Sequence, residues 1–158
     1  MKNKIYIKAL IKSQYKKIDI LNQLIDLTKE QADLLEDSNF DQSEFTNIID
    51  RKAKQINELA ELDDGFLKIF EQVKEELELN KAHENEIKEL KDTINTITDL
   101  SSKLQLDENS NKIKLETYLT LKRKEVKDYK RSKSMASSYQ RNLDRQDNMS
   151  SHFFDSKK

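Results

Sequence analysis

The residue types that could do chemistry are few in this chain, and they are badly spaced for it. There are two histidines, His83 and His152, far apart and without a metal-ligand repeat, which leaves solvated surface imidazoles as the ordinary reading. No cysteine is present, so disulfides, thiolate nucleophiles and cysteine zinc sites are excluded together. The carboxylates Glu75, Glu76 and Glu78 and the pair Asp63 and Asp64 have the density for acid–base or metal work. In a chain with 30 acidic residues they read instead as solvated faces and caps. No phosphate loop, glycine-rich dinucleotide turn, HExxH or GxSxG occurs. From Lys122 to Arg131 a basic run could grip phosphates. Glu125 and Asp128 interrupt it and no aromatic stacking set accompanies it, so the closing turns of a helix explain it better. These residues point away from catalysis, and no cofactor, metal or nucleic acid is expected.

The elements that would have to position such groups are helices. There is no proline in 158 residues and one glycine, Gly65. Those two residue types end helices and shape the loops on which active sites are usually built. Charged residues make up 37% and apolar ones 35%, enough for helix seams but not for a thick globular core. No run approaches the roughly 20 apolar residues of a membrane span, and the lysines that follow Ile5, Tyr6 and Ile7 interrupt any signal-peptide core. A cytoplasmic protein without membrane insertion is expected.

A net charge of −1 conceals a partition: residues 1–25 carry +5, residues 26–108 carry −13 and residues 109–158 carry +7. Opposite signs along one chain favour folding back and offer separate surfaces to partners.

The first seam, Ile7, Ile11, Gln14, Ile18, Leu21, Ile25, Thr28, Ala32 and Leu35, alternates spacings of four and three. Leu10, Leu24 and Leu34 broaden it, as for a helix touching two neighbours. This predicts a helix over about 5–36, ending in the short polar side chains around Asp37–Asp41. Asp41 or Ser43 then caps a second helix over 42–79, with the seam Phe45, Ile49, Lys52, Ile56 and Leu59. Near 63–65, Asp63 has the character of an N-cap and Leu62 with Leu67 that of a staple around it. The register nevertheless continues through Phe66, Phe70, Val73 and Leu77, so a kink and a reversal both remain open there.

A third helix over 84–130 follows the polar run at 80–86, with the seam Ile87, Leu90, Ile94, Ile97, Ser101, Leu104, Glu108, Asn111, Leu115 and Tyr118. One long helix passing through that run is the alternative. The expected fold is all-α: an elongated antiparallel helical bundle or coiled-coil hairpin over 1–131, followed by a flexible or amphipathic C-terminal segment over 132–158.

That last segment is Ser-rich and mostly polar, but Met135, Tyr139 and Leu143 recur every four residues, and Phe153 and Phe154 stand together near the end. These five are the candidate partner-binding residues. Docking on the chain's own bundle and binding of a partner both account for them.

Three stretches also carry a family resemblance. They are Phe40-Asp41…Phe45…Ile48-Ile49-Asp50-Arg51-Lys52, then Leu59…Leu62-Asp63-Asp64-Gly65-Phe66, and the ending Tyr118-Leu119…Lys124-Glu125-Val126-Lys127…Ser151-His152-Phe153-Phe154-Asp155-Ser156-Lys157-Lys158. Together they resemble the FlgN-like flagellar export chaperones of clostridial-type bacteria, over nearly the whole chain. Small chaperones of the FliT and FliS types share this composition. The resemblance implies a non-enzymatic cytoplasmic chaperone of flagellar type III secretion. Such a protein binds hook–filament junction proteins of the FlgK and FlgL type, prevents their premature assembly and delivers them to the export gate, with clients bound in the C-terminal part. The competing expectation is a structural coiled-coil scaffold or spacer. Polar seam members such as Gln14, Thr28, Lys52 and Asn111 weaken a continuous two-chain coil and favour a folded-back monomer.

Overall fold

In a computed structural model, which describes residues 2–37, 40–79 and 83–137, three helices follow one another: α1 (Lys2–Glu36), α2 (Gln42–Leu79) and α3 (Glu84–Ser137). No strand occurs among the described residues, and no helix of them is long and apolar enough to cross a membrane. The fold is a helical bundle. It divides into two compact units, residues up to Asn111 and residues from Lys112 onward. Asn111, where the first unit ends, is also the last described residue that is buried.

In the first unit α1 and α2 are nearly equal, at 35 and 38 residues, so their seams match end to end over roughly 50–57 Å. The entry to α2 is fixed locally. Asp41 Oδ1 accepts from the backbone N–H of Ser43 at 2.9 Å and of Glu44 at 3.2 Å, so Asp41 is the cap. Phe40, just before the cap, packs on Phe45 with ring centroids 5.3 Å apart, which is the hydrophobic staple of this helix start. The staple expected at Leu62 and Leu67 does not form, because α2 runs unbroken through Asp63, Asp64 and Gly65. Leu67 is left exposed, and Asp63 pairs with Lys17 of α1 at 2.6 Å instead of capping.

Two apolar layers join the three helices. In the first, Ile7, Leu10 and Ile11 of α1 meet Val73 of α2 and Leu90 of α3, with Phe66 and Phe70 stacked alongside. In the second, Ile20, Leu21 and Leu24 meet Ile97, flanked by Leu59, Leu62, Leu100 and Leu104. The backbones of α1 and α2 approach most closely, and α3 reaches them through its side chains. Tyr15, for example, donates to Glu89 Oε1 at 2.9 Å. That hydrogen bond, with help from burial and the neighbouring carboxylates, raises the phenol above its ordinary pKa.

A third layer is polar. Lys52 Nζ, buried between the helices, donates to Gln31 Oε1 at 2.7 Å and pairs with Glu108. Thr28 Oγ1 lies 2.7 Å from the Leu24 carbonyl and 3.1 Å from Glu108 Oε1, so its one proton serves either acceptor. Asn111 Nδ2 donates to the Thr28 carbonyl at 2.7 Å. Lys52, Thr28 and Asn111 each donate to a partner here, which is the condition for burying polar groups without a large penalty.

Individual seam positions shift from expectation by one residue. On α2, Ile48 is buried while Ile49 and Ile56 are exposed. On α3, Thr93 is buried, its hydroxyl bonded to the Leu90 carbonyl at 2.6 Å, while Ile94 is 44% exposed. A helix facing two neighbours buries a broad sector, and residues at either edge can enter it.

Two outcomes follow for stability. Leu21→Asp, at a position 3% exposed, should cost about 3 kcal/mol or more, whereas Ile94→Asp should stay within about 1 kcal/mol. Urea melts followed by circular dichroism measure both. In the polar layer, Glu108→Leu should cost about 2 kcal/mol by leaving the buried Lys52 without its counter-charge. Adding Lys52→Met to that variant should recover most of the loss. A double variant as unstable as the sum of the singles would show that the pair does not act as a unit.

Candidate partner-binding surface

Of the five residues expected to bind a partner, Met135 lies on α3, and Tyr139, Leu143, Phe153 and Phe154 lie outside the described residues. α3 continues to Ser137, through the first Ser-rich residues and beyond the expected end near 130. Nothing in Ser132–Ser137 forbids a helix, since neither proline nor glycine is present to stop it.

Residues 112–137 of α3 carry nine basic and three acidic side chains. Leu115, Tyr118, Lys122, Val126, Tyr129 and Lys133 recur at three- and four-residue spacing along one face. Two of the lysines lie over the ring one turn earlier. Lys122 Nζ is 5.6 Å from the Tyr118 centroid, and Lys133 Nζ is 5.5 Å from that of Tyr129. Each such contact is worth about 0.5–1 kcal/mol at an exposed site, and it lays the aliphatic stem along the aromatic ring. Lys122 also pairs with Glu125 at 3.3 Å. Together these contacts support the helix where large apolar residues are sparse.

Met135 is 70% exposed, and two residues that sequence reasoning did not single out accompany it: Ile113 at 63% and Leu121 at 55%. At about 100° per residue the three fall within a sector of roughly 80°. The signal that could have found them is their wide spacing along one face, which a search for contiguous four-three seams passes over. Thr117, Lys124 and Asp128 share that sector, so the arrangement is a basic helical segment with three separated exposed apolar side chains on one face.

The groups first considered for chemistry stand apart from this surface. His83 is half-buried immediately before α3, and Asp63 is held by Lys17. His152 lies outside the described residues. Among the described residues no group of three or more His, Cys, Asp or Glu side chains is placed to hold a metal ion. Comparison of the chain with protein-family models, with curated proteins and with solved structures finds no match in any of the three.

Proposed function

We propose that this protein is a cytoplasmic flagellar export chaperone of the FlgN-like type, a monomer that holds hook–filament junction proteins of the FlgK and FlgL type before export. The reading rests on the sequence resemblance. The observation that carries it furthest is the exposure of Ile113, Leu121 and Met135 on one face of the basic segment 112–137. Clients of such chaperones carry amphipathic terminal helices that self-associate when left exposed. A helix with exposed apolar side chains on one face and basic flanks can cover such a face until the client is handed to the export gate. The sequence-based binding residues are Met135, on this face, and Tyr139, Leu143, Phe153 and Phe154, which lie outside the described residues.

One observation favours the competing scaffold reading. On α2, Ile49, Ala53, Ile56, Ala60 and Leu67 are all exposed and keep coiled-coil spacing, an outward seam that a second chain could cover. Light scattering separates the two readings, because the scaffold requires a stable dimer at micromolar concentration.

The chaperone reading is tested by calorimetric titration with C-terminal helices of FlgK- and FlgL-type proteins. Phe153→Ala with Phe154→Ala, and separately truncation after Arg131, should each weaken binding about tenfold or more while leaving the melting curve nearly unchanged. Unchanged or tighter binding in the truncated protein would overturn direct contact through this segment.

A further inference from the structure

Gly65 has no reason to be glycine within the chain itself. It lies inside the unbroken helix α2, its φ is not positive, and a Cβ added to it would meet nothing within 4 Å. A glycine at such a position costs about 1 kcal/mol relative to alanine, and no turn, bulge or close internal packing repays that cost.

What Gly65 adjoins is a groove. Glu58, Glu61, Leu62 and Gly65 are spaced i, i+3, i+4 and i+7, one row along α2. The first three of them, with Lys16, Asp19 and Ile20 of α1, line an open groove of about 430 Å³. Its floor is apolar, formed by Ile20 and Leu62, both of which belong to the second core layer. Its rim carries three carboxylates and one ammonium group. Among the described residues, none of Asp19, Glu58 and Glu61 makes a side-chain hydrogen bond or ion pair, although Lys17–Asp63 and Gln55–Gln23 contacts between the same two helices lie close by in sequence. The carboxylates are therefore available to a partner, and the missing Cβ at Gly65 lets that partner's backbone approach α2 closely.

We propose that this α1–α2 groove docks a basic amphipathic helix of a partner protein. A large apolar side chain of that helix covers Ile20 and Leu62, its lysine or arginine residues reach Asp19, Glu58 and Glu61, and its backbone crosses α2 at Gly65. Charge decides the choice of occupant. An acidic or uncharged helix laid here would desolvate three carboxylates without compensating them, whereas a basic one pairs them. The inference stands independently of the chaperone reading, which concerns residues from 112 onward.

The probe is a synthetic amphipathic helix of leucine and lysine, titrated into the full chain and followed by amide chemical shifts. Shifts at Ile20, Leu62 and Gly65 are expected. Glu58→Lys combined with Glu61→Lys should weaken binding about tenfold or more. Gly65→Leu is the decisive variant, because it should raise the melting temperature through helix propensity and yet weaken binding by filling the row. A variant that folds better and binds worse excludes misfolding as the cause. Three results would each overturn the proposal. They are Gly65→Leu binding as well as the wild type, a leucine–glutamate helix binding equally well, or a wild-type dimer at tens of micromolar that the double lysine variant dissolves, which would make a second copy the occupant.

Discussion

The ammonium group of Lys52 constrains how the three helices align. It is buried, and its acceptors come from two different helices, Gln31 of α1 and Glu108 of α3. Apolar layers tolerate sliding by a turn, since one leucine row resembles the next. A buried lysine does not: moving α3 by one turn would remove its counter-charge, at a cost of about 2 kcal/mol. Asn111 adds a second constraint of the same kind, because its buried amide donates to the Thr28 carbonyl of α1. The two apolar layers, Ile7 to Leu90 and Ile20 to Ile97, supply cohesion, and the polar layer selects which of the many cohesive arrangements is adopted.

The helices themselves were legible in the sequence for a simple reason. With no proline and one glycine the chain has few places where a helix can end, and the polar clusters near 37–41 and 80–86 are two of them. The end of α1 at Glu36, the bounds of α2 and the start of α3 at Glu84 follow from that, whereas the pattern near 63–65 leaves a kink or a reversal open inside α2. What could not be read was the rotation of each helix to within one residue. A four-three pattern admits Ile49 or Ile48, Ile94 or Thr93, and hydrophobicity argues for the isoleucine each time. Thr93 enters the interior because its hydroxyl bonds to its own helix at Leu90, a compensation that composition does not reveal. The extension of α3 to Ser137 is not legible because serine runs ordinarily mark a boundary, while the Lys122–Tyr118 and Lys133–Tyr129 contacts that accompany it depend on spacing.

Candidate binding residues were less legible than the fold. Met135 was found because it stands in a polar setting, and Ile113 and Leu121 were overlooked because each has ordinary neighbours. The groove was hidden for the opposite reason. Asp19, Glu58 and Glu61 belong to a chain rich in carboxylates, and nothing in sequence distinguishes the three that border apolar floor. Gly65 was the one visible mark, and the local pattern of Asp63, Asp64 and Gly65 gave it a conventional meaning as a turn. Only an unbroken helix at that position makes the glycine anomalous.

The stapled entry to α2 also bears on the order in which the chain assembles. Asp41, Phe40 and Phe45 act over a few residues, so the link between α1 and α2 is specified without any help from α3. Closing so short a link costs little entropy, and helical hairpins with local contacts form quickly. During synthesis α1 and α2 can pair before α3 has been made, and the incomplete hairpin would then display the faces of Leu10, Leu21 and Val73 for seconds at ordinary elongation rates. The nascent chain is most exposed to wrong partners in that interval. The arrival of α3, guided by the waiting donor of Lys52, closes it.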